Sequence, residues 1–518
     1  MSKQFRSSSL AIASITYLAL PHFIFMLGWL RGTIGIPLAG FLLASLLFGT
    51  GRVGQSQDRP DSLLASYGIK PTVLLTTIPL SIFLTLICGV GGIGPQHFDW
   101  FKHNAVLREL IDNSWPPIVW TPEGGFPLVY YTAWYLPPAL CGKLGGWSCA
   151  QYALMIWNIV GLTLALAWVF VLIPHLPALG VIVFVLFSGL DVIGGILVRL
   201  PLGTMTDWWA AQWLYGSNVF QLFNSPYMGI SGWMLTALVL HEIWTCDERK
   251  TILLVFGLSF LWSPFLSLGL TPYLAADFMT RDGFFRSRAS RYLSPANLAG
   301  ILLAALYVSY FASKNGDLPF KGNPYLLPQL IFMSPRTPQS MTLLTAKVFV
   351  FCLLEFGVYG LLVLRILDRK DKKRLTSFMV TLLVLFCLPW FHMGYYNDLA
   401  MRASIPSLFV LSIFVVDSVF RKSQRYIYRT LLVAALALGA ITPLVPIAVD
   451  LTLFPGTPRV TEEGNLWSVH QKYASEFPFI IQYIGSQDSW FFKYLSRPLA
   501  AAPQPPLTKP DQGFCKEH

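Results

Sequence analysis

Long apolar runs without a charge are the feature that most restricts what this chain can fold into. Among its 518 residues, 54% are hydrophobic and only 12% are charged, whereas a soluble domain carries about 25% charged residues. Many windows extend for about 20 residues without a charge, the length at which a helix crosses a hydrocarbon core of about 30 Å. Because the runs are continuous rather than alternating, they do not resemble the strands of a transmembrane β-barrel. The sequence therefore predicts an all-α protein, a polytopic transmembrane helical bundle.

The positions of the apolar runs predict about 13 spans. The run over 252–280 is too long for one span and is interrupted by Trp262, Ser263 and Pro264, so we expect two short helices that turn there. The remaining spans are expected at 9–30, 33–51, 71–93, 148–173, 178–198, 229–247, 295–313, 345–367, 375–393, 401–420 and 430–449.

Basic residues set the predicted orientation, because short cytoplasmic loops are enriched in lysine and arginine. Four basic loops, at 249–250, 281–291, 365–374 and 421–429, fall on one side if 252–280 crosses twice. We therefore expect an integral protein of the inner or plasma membrane, with its N-terminus in the cytoplasm and its C-terminus outside. These loops explain most of the net charge of +11, so nucleic acid is not an expected partner.

This topology divides the chain into a transmembrane domain (1–449), an outer C-terminal segment (450–497) and a disordered tail (498–518). The sequence has no Walker loop, HExxH motif or dinucleotide fingerprint, which argues against a pump with its own motor domain. Cys141 and Cys149, near the end of the first outer loop, either form a disulfide or remain free. The outer loops, which hold most of the unusual polar motifs, are 94–147, 199–228, 314–344 and 394–400.

The first outer loop opens with a pattern typical of an amphipathic helix over 99–112. Asp99, Lys102 and His103 are spaced i, i+3 and i+4, so they share one helical face. A carboxylate beside a cation and a histidine suits a general base or a ligand for a divalent cation, and the alternative is a solvated face with intrahelical ion pairs. The apolar side, which we expect to lie on the membrane surface, consists of Phe101, Ala105, Val106 and Leu110.

The same loop continues with an aromatic stretch over 127–140 that is short and interrupted by two prolines. A re-entrant or interfacial segment therefore suits it better than a span. Tyr130, Tyr131, Trp134 and Tyr135 form an aromatic patch. This patch is either an interfacial aromatic belt or a stacking surface for a sugar ring or a prenyl chain.

Two further polar groups stand out at the ends of predicted spans. Asp191 lies within an apolar run, where an acid is costly and usually has a partner, and either Arg199 or an interhelical hydrogen bond would satisfy it. Arg402 begins a helix, against the dipole preference, four residues after Asp398 and next to Asn397. Its compensating negative charge is either Asp398 or a lipid-linked phosphate.

Three stretches carry a resemblance to a known group: DWFKHNAVLRELI, PLVYYTAWYLPPAL and NDLAMRASIPSL. They look like those of bacterial polytopic membrane proteins with no assigned activity, whose layout resembles the C-type (GT-C) glycosyltransferase superfamily. Asp99 takes the position of that family's acidic residue in the first large outer loop, although two extra predicted spans precede it here. The resemblance implies transfer of a sugar from a polyprenyl-phosphate donor to a glycan, lipid or protein acceptor, on the outer face and with inversion.

The resemblance also implies roles for individual residues. Asp99 would be the general base, and no cofactor is expected beyond a possible divalent cation. Membrane lipids and the lipid-linked donor are the expected partners. The residues expected to bind phosphate or sugar, or to orient them, are Lys102, His103, Asn104, Tyr130, Tyr131, Arg199, Asn397, Asp398 and Arg402.

Two other functions remain open from the sequence. A transporter or flippase for an amphipathic or lipid-linked substrate would use Asp191 and Asp398 as ion or proton sites. Alternating access requires a polar path through both leaflets, and the predicted polar motifs lie mostly on one side. A non-catalytic membrane subunit would use the same charged loops structurally.

Overall fold

A computed structural model describes residues 7–50, 71–97, 99–201, 206–280, 285–315, 328–333, 340–394, 396–421, 425–454, 464–473 and 480–500. Six helices in these residues are long and apolar enough to cross a membrane: Ser9–Trp29, Leu136–Leu172, Pro295–Ala312, Met341–Ile366, Lys372–Trp390 and Tyr426–Leu453. The prediction of an all-α helical membrane protein is confirmed at this level. Four shorter apolar helices accompany them, at Gly32–Phe48, Pro71–Ile87, Ile252–Trp262 and Ile405–Phe420.

Helices account for most of the described residues. In chain order the α-helices are α1 (Ser7–Trp29), α2 (Gly32–Thr50), α3 (Pro71–Ile87), α4 (Asp99–Asp112), α5 (Leu136–Leu172), α6 (Gly180–Val185), α7 (Asp191–Leu197), α8 (Asn218–Asn224), α9 (Pro226–Thr245), α10 (Ile252–Trp262), α11 (Pro264–Thr280), α12 (Phe285–Ser290), α13 (Pro295–Ala312), α14 (Met341–Cys352), α15 (Val358–Ile366), α16 (Lys372–Cys387), α17 (Asp398–Ala403), α18 (Ile405–Phe420), α19 (Tyr426–Gly439), α20 (Ile441–Leu453) and α21 (Leu466–Tyr473).

Short turns and two small hairpins complete the described structure. A π-helical turn, Leu353–Gly357, joins α14 to α15, and a second is Phe491–Leu495. Strands β1 (Ile118–Thr121) and β2 (Gly124–Pro127) pair antiparallel, as do β3 (Gln329–Leu330) and β4 (Phe391–His392). The 3-10 turns are Thr206–Trp208, Ser313–Asn315, Ile331–Met333, Leu388–Trp390 and Ile480–Gln482.

The apolar run over 252–280 forms two helices, as its proline predicts. Ser263 is extended (φ −174°, ψ 128°), and Pro264 begins α11 directly after it. Proline fits the first turn of a helix because its missing N–H would have no partner there. The hydroxyls of Ser259 and Ser267 meet across the break at 2.6 Å. The break therefore separates two helices that remain in contact.

The prediction of one helix over 178–198 is wrong. The chain leaves the helix after α6 and begins α7 at Asp191. Tertiary hydrogen bonds replace the missing helical ones in this break, since Leu190 N donates to Leu354 O (3.0 Å) and Asn218 N donates to Phe187 O (3.2 Å). A buried backbone group needs a partner, and this break takes its partners from distant segments that a local pattern does not reveal.

Helices α9 and α18 form the centre of the described bundle, because nearly all of their residues are buried. A helix that is apolar on all sides is typical of such a position. Helices α10 and α13 pack closely at Gly257 and Gly300. A Cβ at Gly257 would lie 2.2 Å from the Gly300 carbonyl oxygen. Small residues allow this approach of two backbones, as in other helices packed within membranes.

Helix α4 is present over the predicted residues, but its apolar side does not lie on the membrane surface. Ala105, Val106 and Leu110 are buried inside the protein, and Phe101 is partly covered by it. Glu109 ties the helix to α21, because its Oε1 accepts a hydrogen bond from Leu466 N at 3.1 Å. The amphipathic pattern therefore reports packing against protein rather than against lipid.

The C-terminal segment is attached to the loop after β2. Leu128 and Ile484 form an antiparallel bridge, and Val129 N donates to Tyr483 O at 2.7 Å. Further along, Arg31 N donates to Leu495 O at 2.9 Å, next to the end of α1. The part of the predicted segment 450–497 that the structure describes thus packs on the helical domain, while 501–518 of the predicted tail lie outside the described residues.

Candidate functional site

Arg402 is the central cation of the candidate site. The prediction that it begins a helix is wrong, because it lies in the last turn of the short helix α17, where the dipole favours a cation. Only 8% of it is exposed. Its Nη2 contacts Asp398 Oδ1 at 2.8 Å, one helical turn earlier, and its Nη1 donates to the Tyr131 hydroxyl. The predicted compensation of Arg402 by Asp398 is present, and Tyr131 is a second partner from a distant loop.

One donor of Arg402 is left without a partner. Its Nε is buried and has no hydrogen-bond acceptor among the described residues. The guanidinium also lies 5.8 Å from the ring centroids of Tyr131 and Phe265. A buried donor without an acceptor costs free energy, so this N–H marks a position where an acceptor from a ligand would be stabilised.

Asp99 begins α4 and forms an ion pair with Lys102, Oδ2 to Nζ at 2.7 Å. Burial acts to raise the pKa of Asp99, but Lys102 and Arg402 act in the opposite direction and the net result is a lowered pKa. Because Arg402 acts on the pKa of Asp99, the beginning of α4 and the end of α17 share one electrostatic environment. Asp99 is therefore a carboxylate at neutral pH, held beside two cations.

His103 lies deeper than Asp99 and is nearly inaccessible. Its Nδ1 is 2.7 Å from the Tyr135 hydroxyl, and its Nε2 is 2.9 Å from the Asn224 carbonyl oxygen. Burial, with Lys102 nearby, lowers the pKa of His103 to about 4. The ring is neutral at neutral pH, donates from Nε2 to Asn224 and accepts from Tyr135. It therefore fixes the aromatic loop against α4 and has no free nitrogen for substrate.

The predicted aromatic patch is buried rather than interfacial. Tyr130 and Tyr131 are 2% and 8% exposed, and the Tyr130 hydroxyl is 3.1 Å from that of Tyr227 at the start of α9. The rings of Tyr130 and Tyr131 lie 3.9 Å apart. The belt interpretation is therefore wrong for this patch. Tyr131 instead places its hydroxyl against Arg402.

Lys314 is a site cation that the sequence did not single out. It follows α13, and its Nζ donates to the Gln482 carbonyl oxygen at 2.5 Å and lies 6.0 Å from the Tyr130 ring centroid. Among the described residues it has no ion pair with a carboxylate. Burial and the nearby Arg402 lower the pKa of Lys314 to about 7. Its only sequence signal was a lysine at the end of an apolar run, which is common.

The segment 480–486 holds this side of the site in place. Tyr483 packs on Tyr130 with ring centroids 4.7 Å apart, and Ser486 N donates to Ser313 O at 2.9 Å. The Tyr310 hydroxyl also donates to Leu128 O at 3.0 Å. The C-terminal segment therefore covers the tyrosines and Lys314 together.

Three predicted site residues have other contacts. Asn104 donates to Gln96 Oε1 at 3.0 Å, and Asn397 donates to the carbonyls of Gln212 and Phe391 at 3.3 and 3.2 Å. Asn397 also has a left-handed backbone (φ 56°), which asparagine tolerates better than most residues. Arg199 is exposed at the end of α7, and among the described residues it forms no ion pair with Asp191. The hydrogen bonds given by Asn104 and Asn397 therefore join neighbouring loop segments.

Asp191 belongs to a separate, fully buried acidic group. It lies beside Glu355 in the π-helical turn, and two neighbouring buried carboxyls are expected to share a proton because two adjacent charges there would be costly. Trp209 Nε1 donates to Glu355 Oε1 at 2.7 Å, and the Ser188 hydroxyl donates to Asp191. Asp207 lies nearby, where burial and Asp191 raise its pKa to about 7. Asp191 thus has Ser188 as a hydrogen-bond donor and Glu355 as a neighbour from another helix, and among the described residues it forms no ion pair with Arg199.

Metal and disulfide chemistry have no support from the described side chains. Within the described ranges, no group of three or more His, Cys, Asp or Glu side chains is arranged to hold a metal ion. Cys141 and Cys149 are both free thiols. Asp99 has a lysine as its direct ionic partner.

Comparisons with known proteins add nothing to these contacts, since no family model, curated protein or solved structure matches the chain. The candidate site therefore consists of Asp99 with Lys102, Arg402 with Tyr131, and Lys314 beside Tyr130.

Proposed function

We propose that this protein is an integral membrane glycosyltransferase of the GT-C layout. It transfers a sugar from a polyprenyl-phosphate donor to a glycan, lipid or protein acceptor on the outer face of the membrane. The observation that carries the proposal is that α4, which begins at Asp99, and Arg402 are bound to the same tyrosine-rich segment, through His103 to Tyr135 and through Arg402 to Tyr131. The carboxylate of Asp99 can act as a base, and the unused donor of Arg402 can bind a phosphate.

In this proposal the cations Arg402 and Lys314 bind the phosphate of the donor. Arg402 keeps one buried N–H without an acceptor, and Lys314 has no carboxylate partner among the described residues. An anion placed between them would satisfy both. Donors held in position around a leaving phosphate stabilise the negative charge that develops on it, and this stabilisation is the main source of rate acceleration in many such reactions.

In this proposal Asp99 is the general base. The acceptor hydroxyl loses its proton to an Asp99 oxygen while its own oxygen bonds to the anomeric carbon. The bond from that carbon to the phosphate oxygen breaks, and its electron pair leaves with the phosphate, so the configuration inverts. The lowered pKa of Asp99 makes it a weak base, which suits a reaction whose leaving group is already a stable anion.

Membrane topology is part of this proposal. We assign about 13 spans, a cytoplasmic N-terminus and an outside C-terminus in the inner or plasma membrane. The site then lies on the outer side, with Asp99 after the third span. A donor with a long prenyl chain would enter it from the lipid. Two more spans precede Asp99 than in the GT-C layout, so the chain would be an N-terminally extended form.

A proton-coupled transporter is the second candidate, and the acidic group of Asp191 and Glu355 favours it. The two carboxyls meet where one helix is broken, between α6 and α7, and where the other contains a π-helical turn. Interrupted helices at mid-membrane depth are typical of ion sites in transporters, and π-turns are frequent at functional sites. Asp398 fits this candidate less well than the sequence suggested, because it is paired with Arg402.

The transferase is tested by sugar transfer in nanodiscs, with a panel of polyprenyl-phosphate sugars and the full-length protein. We expect Asp99→Asn and Arg402→Ala to reduce transfer by about 100-fold or more, with folding checked by thermal melting. Asp488→Asn is a matched control, because Asp488 is an exposed aspartate that also pairs with a lysine. Full transfer by both site variants would overturn the mechanism.

The transporter is tested separately in proteoliposomes. Substrate flux that follows a proton gradient, and that is lost in Glu355→Gln, would favour it over the transferase. Sugar transfer that is unaffected by Glu355→Gln would favour the transferase, because Glu355 contacts none of the proposed catalytic residues in the described structure.

A further inference from the structure

A groove beside the C-terminal end of α1 is separate from the site of Asp99 and Arg402. It has a volume of about 440 Å³, and its lining includes Phe23, Leu27, Trp115, Leu140, Lys143 and Arg497. Trp115 packs directly on α1, where a Cβ at Gly28 would lie 2.7 Å from its ring. The groove therefore lies on the surface of a helix that is long and apolar enough to cross a membrane.

The position of the groove along α1 places it near a membrane boundary. Phe23 and Leu27 are in the last two turns of a helix that ends at Trp29. The end of a spanning helix lies at the level of the lipid headgroups, where tryptophan is enriched. Leu27 and Leu140 are 47% and 44% exposed. The groove therefore presents apolar side chains that an acyl chain can contact.

The charges at the groove are all positive. Lys143 and Arg497 line it, and no acidic residue does. Lys143 Nζ donates to the carbonyls of Ile111 and Asn113 at 3.1 and 2.5 Å and lies 5.2 Å from the Trp115 ring centroid. These contacts hold the ammonium in place and leave it one further N–H. Asp112, which does not line the groove, favours the charged form of Lys143 electrostatically. The two side chains form no ion pair in the described structure.

Arg497 has more unused donors than Lys143. Its Nε donates to Leu30 O at 3.0 Å, which fixes the side chain at the end of α1. Neither Nη group has a hydrogen-bond acceptor or carboxylate partner in the part of the chain that the structure describes. A guanidinium held by its Nε and open at both Nη groups matches the oxygens of a phosphate.

We propose that this groove binds an anionic glycerophospholipid. The phosphodiester lies between Lys143 and Arg497, and one acyl chain runs along Phe23, Leu27 and Leu140. A basic pocket beside a spanning helix is a general way to bind an anionic headgroup. The charge pattern selects an anionic lipid over a zwitterionic one, because no acidic side chain in the lining would accept a choline or ethanolamine group.

The proposal is tested with purified full-length protein by native mass spectrometry and by melting in nanodiscs. We expect phosphatidylglycerol to be retained and to stabilise the protein more than phosphatidylcholine does. Lys143→Gln combined with Arg497→Gln should weaken the retention of phosphatidylglycerol about tenfold. Lys493→Gln is the control, because Lys493 is an exposed lysine of the same C-terminal segment that does not line the groove.

A second pair of variants tests the apolar half without changing charge. Leu140→Trp should fill the groove and reduce phosphatidylglycerol retention, whereas Leu144→Trp should not, because Leu144 is 88% exposed and lies outside the lining. Melting temperatures in detergent without lipid show whether each variant is folded.

Four results would overturn the proposal. They are equal retention of the two phospholipids, unchanged retention in the folded double variant, equal stabilisation by inorganic phosphate alone, and displacement of phosphatidylglycerol by polyprenyl phosphate at equal concentration. None of them depends on sugar transfer, so the groove and the transferase proposal are tested independently.

Discussion

Arg402 is held by Asp398 on its own helix and by Tyr131 from a loop far away in sequence, through Nη2 and Nη1 respectively. This arrangement uses two of its donor groups and leaves Nε buried and unused. Asp398 and Tyr131 therefore support Arg402, and Nε is the donor that the proposed function leaves for a ligand.

The ion pair of Arg402 and Asp398 gives a prediction about stability. Removing one partner of a buried pair leaves an uncompensated charge, which costs about 3–5 kcal/mol. We expect Asp398→Ala to lower the melting temperature markedly. The double variant Asp398→Ala with Arg402→Met should recover most of that loss, because it buries no unpaired charge. Recovery of stability without recovery of sugar transfer would separate the two roles, and a double variant as unstable as Asp398→Ala would contradict the account.

Lys314 gives a prediction about pH. Because its pKa is lowered to about 7, Lys314 is protonated below that value and neutral above it. Donor binding should therefore weaken as the pH rises from 6 to 8, a range in which the phosphodiester of the donor keeps its charge. Lys314→Met should bind the donor weakly at both pH values and lose this dependence. Lys493→Met, at an exposed lysine, should retain it.

Local sequence patterns predicted part of the fold and part of the site. The helix over 99–112 followed from its amphipathic spacing, the break at Ser263 from Pro264, and the pairing of Asp398 with Arg402 from a separation of four residues. Each of these depends on neighbours along the chain. The burial of α4 against protein did not follow, since an apolar side looks the same whether it faces lipid or protein.

The remaining parts depend on contacts between distant segments. Tyr483 reaches Tyr130 through a bridge between Leu128 and Ile484, and no periodicity in either segment indicates this pairing. The partner of Asp191 is Glu355 in another helix, whereas the local candidate Arg199 is exposed. Lys314 joins the site only because the C-terminal segment folds over it, so nothing in its local sequence distinguishes it from other lysines.

The paired carboxyls of Asp191 and Glu355 give a prediction about shared protons. An amide can replace the protonated partner of such a pair and keep the hydrogen bond, whereas alanine leaves the other carboxyl without a partner. We expect Glu355→Gln to melt within a few degrees of the wild type and Glu355→Ala to melt much lower. Infrared difference spectra should show a protonated carboxyl band that disappears in Glu355→Gln. Equal melting of the two variants would contradict the shared proton.

The contact of α10 with α13 gives a prediction about packing. A methyl group at Gly257 would lie 2.2 Å from the Gly300 carbonyl oxygen, so the two backbones must separate. Overpacking of this kind costs about 1–3 kcal/mol. We expect Gly257→Ala to lower the melting temperature, while Gly40→Ala should not, because no atom lies within 4 Å of a Cβ at Gly40. Unchanged melting of Gly257→Ala would show that the helices are not packed this closely.

Glu109 gives a prediction about the pH dependence of stability. Burial raises its pKa from 4.5 to about 7, although Leu466 N and Asn113 Nδ2 both donate to it. Because the folded protein holds this proton more tightly than the unfolded chain does, the stabilisation is complete below about pH 4.5 and is lost as the pH rises through about 7. At about 1.4 kcal/mol per pKa unit, the loss reaches at most about 3.5 kcal/mol. Melting between pH 5 and 8 should therefore fall in the wild type and change much less in Glu109→Gln, and a parallel fall in both would assign the dependence to another group.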